Sequence, residues 1–477
     1  MKRWSLLLLA SLSILALAGV ASAAKAPAKA SPAPAIATPI DDDPDLPTGI
    51  LGEPIEKEAY LRARGEAMLR RFDGATIDQI NAGRAAGVEL MKKQRGQQAP
   101  FISASAWSAM GPFPIPNGQT TTISTPVSGR VTAIVVDPTD ANLVYVGLAQ
   151  GGVWRSFDGG LNWTPLFDQQ ATLAIGALAL APSDRSILYV GTGEANGSAD
   201  SYFGLGLYRI DGANTTPTVS GPFNPTPTTD IIGAKTFTGR SISKVLVDPA
   251  DPAIVFCSTT SGIGGLFNEA FAPSPPVSAL RGIYRSTNAT SASPSFSKLT
   301  VTAAASIAPD VSGNAPIQDM IYDPADATGN TIVCWAQGAV AAGNGGIYRT
   351  TTAKAPVPTF VQTFATPTAN ARGTFASTTA GGPRILLGSG ESRAGTTCAV
   401  TTSFGALRVS IDGGVTWSAK LAGGGGYCGG QCFYDLPVAI SPIDANVILI
   451  GGAGNGTCSR VFARSIDGGA TFTAGGG

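Results

Sequence analysis

The sequence contains no histidine and has few charged side chains. Only 13% of its 477 residues are charged, and 32 Lys and Arg balance 32 Asp and Glu. The lack of imidazole excludes His-based acid–base catalysis and His-ligated metals. Sparse and balanced charge gives no electrostatic reason to expect a nucleic-acid partner. The composition therefore indicates neither nucleic-acid binding nor a cofactor or metal site.

Long apolar runs are also scarce, and the one present lies at the N-terminus. Lys2 and Arg3 precede the run LLLLASLSILALAGV, and a small Ala-Ser-Ala pattern follows at 21–23. This order predicts a signal peptide at 1–23 in preference to a membrane anchor, because the run is short and a Pro/Ala-rich stretch follows. No other stretch is long enough to cross a bilayer. We therefore expect an exported protein, periplasmic or extracellular, with no transmembrane segment in its mature chain.

Two segments precede the main domain. Residues 24–52 are rich in Pro and Ala, which predicts an extended linker. Residues 53–96 show helical periodicity, and Thr76 with Gln79 forms a capping-box pattern that predicts the start of a second helix. Neither segment carries a catalytic pattern. We interpret 53–96 as a short helical lead-in to a domain at 105–477.

From about residue 105 the chain repeats one pattern six times. An alternating apolar strand ends in a turn, most often Pro-Asp, and a second apolar strand follows, as in VTAIVVDPTDANLVYVG at 131–147 and KVLVDPADPAIVFCS at 244–258. A third strand comes next, such as GGVWRS at 151–156 or RGIYRS at 281–286, and a turn then leads to a fourth. Four strands per unit, recurring roughly every 45–75 residues, predict an all-β chain that forms a β-propeller of four-stranded antiparallel blades.

The array of six units looks incomplete. The stretch AWSAMG at 106–111 is typical of a last strand without its first three, and the final unit stops directly after its fourth strand. We therefore expect either a fragment, truncated at the C-terminus, of a seven-bladed or larger propeller, or an atypical closure.

A second sequence motif recurs at the turn before the fourth strand. The three copies contain Ser156, Asp158, Gly160 and Trp163; Ser410, Asp412, Gly414, Thr416 and Trp417; and Ser465, Asp467, Gly469, Thr471 and Phe472. The carboxylate can accept N–H groups of its own turn, paired glycines permit positive φ, and the aromatic ring can be buried between neighbouring sheets. A catalytic or metal site would converge on one place, whereas these copies lie one per unit on separate hairpins. We therefore predict a structural role.

The pattern S-x-D-x-G-x-T-W resembles the Asp-box, or BNR repeat, of sialidase-like propellers. Residues 105–477 are similar to secreted bacterial BNR/YVTN-type propellers, which are distant relatives of sialidases, xyloglucan-specific glycoside hydrolases and the sortilin ectodomain. The resemblance implies the fold and leaves the activity open, because proteins that share it differ in function. The Arg-Ile-Pro signature and an assignable catalytic Tyr of true sialidases are missing.

The loops between second and third strands, together with the connections between blades, form the candidate ligand face, which we call the variable rim. These loops are long and varied, whereas the turns of the opposite rim are uniform, and binding residues concentrate in irregular loops. The carboxylates in them are Glu194, Asp200, Glu269 and Glu391. Glu194 and Glu391 each follow Gly-x-Gly, which predicts equivalent heights on one face, although a repeated structural turn would produce the same pattern.

These observations predict an exported propeller that binds a protein or a glycan and has no demonstrable active site. One alternative is a glycoside hydrolase that uses loop carboxylates as acid and base. Another is an extracytoplasmic scaffold for assembly or anchoring.

Six cysteines complete the set of chemically distinctive residues. Cys398, Cys428, Cys432 and Cys458 lie in loops of the last two units, and in an oxidising compartment we expect them to form two disulfides of undecided connectivity. Zinc binding by Cys428 and Cys432 is the alternative. Cys257 and Cys334 take the position of Val146 in their own second strands, which predicts buried thiols.

Overall fold

The repeats form six antiparallel sheets, as the sequence predicts for a β-propeller. The computed structural model describes residues 77–97, 129–196, 201–229, 235–261, 279–301, 315–337, 345–366, 372–390, 405–428, 432, 434–452 and 462–474. Within them the chain is all-β apart from helix α1 (Ile77–Gln97) and a short 3-10 turn (Ala422–Gly424). The predicted signal peptide, the linker, the first part of the helical lead-in and the strand predicted at 106–111 lie outside these residues.

Each sheet is built from strands that are consecutive in the chain. Sheet 1 contains β1 (Val131–Asp137), β2 (Asp140–Leu148), β3 (Gly152–Ser156) and β4 (Thr164–Pro165). Sheet 2 contains β5 (Ile175–Ala181), β6 (Asp184–Gly193), β7 (Phe203–Asp211) and β8 (Thr218–Phe223). Sheet 3 contains β9 (Arg240–Val247), β10 (Val255–Ser261), β11 (Gly282–Ser286) and β12 (Ser297–Leu299).

The second half of the chain continues in the same order. Sheet 4 contains β13 (Ile317–Tyr322), β14 (Ile332–Ala336), β15 (Gly346–Thr350) and β16 (Val361–Ala365). Sheet 5 contains three strands in the described residues, β17 (Gly373–Thr378), β18 (Arg384–Ser389) and β19 (Ala406–Ser410). Sheet 6 contains β20 (Val438–Ile440), β21 (Ile448–Gly451), β22 (Phe462–Ser465) and β23 (Thr473–Ala474).

Strand register shows that the units are structurally equivalent. Val146 of β2 lies between Ile134 and Trp154 on the neighbouring strands. Cys257 lies between Val245 and Tyr284 in sheet 3, and Cys334 occupies the same place in sheet 4. Both cysteines are buried free thiols, as predicted from their position in the repeat.

Apolar cores join each sheet to the next. Because side chains alternate between the two faces of a strand, every sheet can contribute to two cores. One core lies between sheets 1 and 2, around Tyr145 and Tyr208. Four further cores join sheets 2 and 3, 3 and 4, 4 and 5, and 5 and 6. The described residues contain no corresponding core between sheets 6 and 1.

Arginines of the third strands also join neighbouring sheets. Nη1 of Arg155 in sheet 1 donates hydrogen bonds to two turn carbonyls of sheet 2, at 2.6 and 2.9 Å. Arg209 reaches the equivalent turn of sheet 3, and Arg285 that of sheet 4. In sheet 4, Nε of Arg349 donates to the Gly413 carbonyl of sheet 5 at 2.8 Å. The repeated Arg therefore has an inter-sheet role that the sequence pattern alone did not reveal.

The Pro-Asp turns combine a local and an inter-sheet contact. Oδ1 of Asp137 accepts the backbone N–H of Thr139 at 2.8 Å and pairs with Arg185 of sheet 2 at 2.7 Å. In sheet 3, Asp248 accepts two N–H groups of its own turn and pairs with Lys354 of sheet 4. These carboxylates therefore stabilise both their turns and the junctions between sheets.

Candidate functional site

Glu194 is the one predicted ligand-face carboxylate that lies in the described part of the chain. Asp200, Glu269 and Glu391 lie outside it. Glu194 directly follows β6 and is fully buried. Its backbone N–H donates to the carbonyl of Tyr202 at 2.8 Å, across the start of the loop that joins the second and third strands.

Two glycines explain how the chain places Glu194 at this point. A Cβ on Gly191 would lie 2.5 Å from Cγ2 of Ile242, so the close approach of β9 requires a residue without a side chain. Gly193 has a φ of +92°, a backbone conformation that favours glycine. The Gly-Thr-Gly sequence is therefore required by packing and by the backbone, and Glu194 is carried at the end of that structural element.

The Glu194 carboxylate contacts two residues from other sheets. Oε2 accepts a hydrogen bond from Nη2 of Arg130 at 2.6 Å, in an ion pair with the residue that precedes β1. Oε1 accepts a hydrogen bond from the hydroxyl of Tyr434 at 2.9 Å, and Tyr434 precedes β20 of sheet 6. The guanidinium of Arg130 also lies 5.4 Å from the centroid of the Tyr434 ring. Because Glu194, Arg130 and Tyr434 come from sheets 2, 1 and 6, they meet at the centre of the ring.

A second contact crosses the centre beside the first. Arg372, which precedes β17 of sheet 5, donates from Nη1 to the Asn196 carbonyl at 2.9 Å and from Nη2 to Asn196 Oδ1 at 2.8 Å. Burial lowers the pKa of Arg372, and Asp319, Tyr434, Asp435 and Glu194 oppose that effect. Since an arginine keeps its proton under all ordinary conditions, the guanidinium remains charged. We call Glu194, Arg130, Tyr434, Arg372 and Asn196 the central cluster.

The central cluster offers fixed hydrogen-bonding groups at the variable rim. Its members follow a second strand or precede a first strand, which are the two kinds of segment that form this rim. The Arg130 side chain is 34% exposed, whereas that of Glu194 is fully buried. Arg372 and Asn196 are half-buried. The accessible groups are therefore guanidinium and amide groups, while the buried carboxylate compensates charge beneath them.

Sequence reasoning identified Glu194 and missed its partners. A faint signal exists, because an arginine stands at the start of the first strand in three units: Arg130 before β1, Arg240 within β9 and Arg372 before β17. Nothing comparable marks Tyr434, which belongs to a variable connection. The Cys428–Cys432 disulfide closes a short loop just before Tyr434, with the Cα atoms 5.0 Å apart. This confirms one of the predicted disulfides, while Cys398 and Cys458 lie outside the described residues.

Helix α1 lies beside this part of the rim. Arg84 is positioned over the rings of Tyr202 and Phe203, at 5.9 and 5.2 Å from their centroids. Val88 and Met91, on the same side of the helix, are half-buried, while most other described side chains of α1 are exposed. A narrow stripe of the helix therefore contacts the propeller next to the backbone that holds Glu194.

The three Ser-x-Asp-x-Gly turns lie on the opposite rim and share one hydrogen-bond pattern. In the first, Ser156 donates to Asp158 Oδ1 at 2.7 Å and accepts the N–H of Gly160 at 2.8 Å. Oδ1 of Asp158 also accepts the N–H of Asn162, at 2.8 Å. The turns at Asp412 and Asp467 repeat these contacts, with a threonine in place of Asn162. Each carboxylate is used within its own turn.

The aromatic residues of these turns differ in burial, contrary to a uniform structural role. Trp417 packs in the core between sheets 4 and 5, with its ring 6.1 Å from that of Phe375. Phe472 packs in the core between sheets 5 and 6. Trp163, however, is 37% exposed. The expectation that every copy buries its aromatic between sheets is therefore wrong for the first copy, because no sheet within the described residues packs against that side of sheet 1.

Comparison with known proteins finds partial similarity to solved structures. No protein-family model and no curated protein matches this chain. The structure is similar to the GH74 xyloglucanase from Xanthomonas campestris, with 17% identity and a TM-score of 0.45, and to the GH74 enzyme from Niastella koreensis, with 18% and 0.47. Each comparison covers 72% of this chain and 45% of the other, so the chain spans less than half of those proteins. YCF48 from Cyanidioschyzon merolae is similar over 73% of this chain and 85% of its own, with 14% identity and a TM-score of 0.38.

These similarities specify no activity. In the described part of the chain, no helix could span a membrane.

Proposed function

We propose that this chain is an exported binding propeller whose ligand, a protein or a glycan, docks on the variable rim over the central cluster. The observation that carries the proposal is the state of Glu194. Its carboxylate is fully buried and engaged by both Arg130 and Tyr434, while the accessible groups around it are donors. A rigid scaffold with fixed donors in its irregular loops suits ligand binding.

Acid–base hydrolysis has different requirements from this arrangement. A glycosidase needs two carboxyl groups about 5–10 Å apart, one of which exchanges a proton with the substrate. Glu194 already accepts hydrogen bonds on both of its oxygens, from Arg130 and from Tyr434. The carboxylate is therefore engaged by protein groups and not by a substrate. In the sequence repeat, Glu391 occupies the position equivalent to Glu194 and is the candidate for the second carboxyl group. We therefore favour binding and retain hydrolysis as an outcome that the experiment can detect.

Export is supported by the signal-peptide pattern at 1–23 and by the Cys428–Cys432 disulfide. Disulfides of this kind persist in oxidising compartments and are rare in the cytosol.

The test compares binding by the wild type and by the Glu194→Gln, Glu391→Gln double variant. Glutamine preserves the shape of the side chain. Its single carbonyl oxygen can accept from Arg130 while its amide N–H donates to the Tyr434 hydroxyl, so the variant should fold. We expect binding on a glycan array or in a pull-down to fall at least about tenfold, which corresponds to about 1.4 kcal/mol.

Asp184→Asn, in an exposed turn on the opposite rim, is the matched control and should bind like the wild type. Unchanged binding by the double variant, together with loss in the control, would place the ligand on the other rim. Loss of polysaccharide turnover in the double variant would identify a hydrolase instead.

A further inference from the structure

The first and last sheets of the ring each present an apolar face that no described residue covers. On sheet 1, Ile134 and Val136 are 64% and 47% exposed, and Val146 and Trp154 beside them are half-buried. We call these four residues the open face of sheet 1. On sheet 6, Phe462 is 48% exposed, Arg464 is exposed and Leu449 is half-buried. These three residues form the open face of sheet 6.

The same positions are buried in sheets 2, 3 and 4, each of which has a preceding sheet packed against it. Ile134, Val146 and Trp154 pair across sheet 1 as Leu178, Val190 and Tyr208 pair across sheet 2. The sheet 2 residues are 7%, 0% and 0% exposed, because sheet 1 packs on them. The open face of sheet 1 therefore has the chemistry of a sheet junction without the second sheet.

Arg464 shows the same relationship on sheet 6. It occupies the third-strand position of Arg155, Arg209, Arg285 and Arg349, each of which donates to turn carbonyls of the next sheet. Arg464 is exposed, and no next sheet lies against it in the described residues. On sheet 1, the Gly159 carbonyl occupies the position at which Gly413 accepts from Arg349.

The two open faces are neighbours around the ring. Tyr434, four residues before β20, lies against Arg130, the residue before β1, with 5.4 Å between the guanidinium and the ring centroid. The first strands of sheets 6 and 1 thus begin close together at the centre, while the sheets share no apolar core in the described residues.

We propose that these two faces form one docking site for a further antiparallel β-sheet of the same repeat type. The five existing junctions define the chemistry of that occupant. It has one apolar face for Phe462 and Leu449 and another for Ile134 and Trp154. A turn before its fourth strand presents carbonyls to Arg464, and an arginine on its third strand reaches the Gly159 carbonyl. Two exposed apolar faces would otherwise favour association.

The experiment supplies such a sheet and measures whether it covers Ile134. A second copy of residues 171–229, which contain sheet 2, is appended after Gly477, and Ile134→Cys is introduced into both the original and the extended chain. Maleimide labelling of the new thiol is followed by mass spectrometry, with the parent chain correcting for native cysteines. We expect labelling to slow by about tenfold or more in the extended chain, since burial restricts reaction to local opening. Leu161→Cys, at an 83% exposed position outside both faces, should label equally in the two chains.

Arg464 provides a readout specific to the junction. Arg464→Ala should lower the melting temperature of the extended chain and leave that of the original chain unchanged. A second extended chain, carrying a copy of residues 235–301 with sheet 3, guards against failure of one added sheet to fold.

Three results would overturn the proposal. The first is equal labelling of Ile134→Cys with and without either added sheet. The second is protection in the original chain accompanied by a dimeric mass in light scattering, which would identify a second copy as the occupant. The third is protection in a monomeric original chain, which would mean that another part of this chain already covers the face.

Discussion

The hydroxyl of Tyr434 lies 2.9 Å from Oε1 of Glu194, although 240 positions separate the two residues in the chain. Tyr434 precedes the first strand of sheet 6 and Glu194 follows the second strand of sheet 2. The contact therefore crosses the ring and ties its late part to its early part. Arg372 and Asn196, 176 positions apart, form a second connection of the same kind.

Removing the Tyr434 hydroxyl should destabilise the protein. Tyr434→Phe leaves one oxygen of a fully buried carboxylate without its donor, and we expect a loss of about 1–3 kcal/mol in the free energy of unfolding, measured by urea titration. Tyr208→Phe is the matched control, because the buried Tyr208 hydroxyl has no hydrogen-bond partner among the described residues. Equal effects of the two substitutions would show that the contact across the ring contributes nothing to stability.

The inter-sheet arginines should differ in importance according to what lies next to them. Arg285→Ala removes hydrogen bonds to the carbonyls of Ala353 and Ala355 and exposes part of a junction, so we expect a loss of about 2–3 kcal/mol. Arg464→Ala, at the equivalent exposed position of sheet 6, should change stability by less than about 0.5 kcal/mol. Chemical denaturation of both variants measures the difference. A large effect of Arg464→Ala in the original chain would mean that this residue already has a neighbouring partner.

The aromatic residues of the three Ser-x-Asp-x-Gly turns should also contribute unequally to the stability of the protein. Trp417→Ala opens the core between sheets 4 and 5, and a loss of about 2–4 kcal/mol is expected for a half-buried tryptophan. Trp163→Ala should cost about 1 kcal/mol or less, because Trp163 is already 37% exposed. Both variants should bind ligand normally at temperatures where they remain folded. Loss of binding by Trp417→Ala at an unchanged melting temperature would assign the turn a direct role in binding.

Acid should weaken the three Ser-x-Asp-x-Gly turns within a defined range of pH. A backbone hydrogen bond from Asn162 is the main cause that lowers the pKa of Asp158 to about 2, and the Thr471 side chain does the same for Asp467. An unfolded Asp titrates at about 3.9, so the folded state favours the charged form. This contribution to stability is complete above that value and is lost as the pH falls from about 4 to about 2. The melting temperature should fall across this window, and it should fall less steeply in Asp467→Asn. Parallel curves for the two proteins would contradict a role for this carboxylate.

Thiol counting tests the cysteine assignments. Burial raises the pKa of the Cys257 and Cys334 thiols, so neither should react in the folded protein at neutral pH. In denaturant without reductant, two groups should react if Cys398 and Cys458 form a second disulfide. Four reactive groups would leave only the Cys428–Cys432 bond, and six would show that no disulfide is present.

The sequence determined the architecture because its signals are local. Alternating apolar residues, turn residues at fixed offsets and a recurring unit specify strands, turns and their order without knowledge of the ring. The same locality accounts for the Asp turns, in which Ser156, Asp158 and Gly160 bond within a few residues of one another. It also placed Cys257 and Cys334 correctly at a buried position of the second strand.

Tertiary structure alone decided the composition of the central cluster and the burial of individual aromatics. Arg130, Glu194, Arg372 and Tyr434 come together because the ring brings the starts of first strands and the ends of second strands to one centre, and no spacing in the chain encodes that meeting. Trp163 and Trp417 occupy equivalent positions in their repeats, yet Trp163 is 37% exposed, whereas Trp417 packs in the core between sheets 4 and 5. The difference arises because burial between sheets depends on the presence of a neighbouring sheet, whereas hydrogen bonds within a turn depend only on the turn itself.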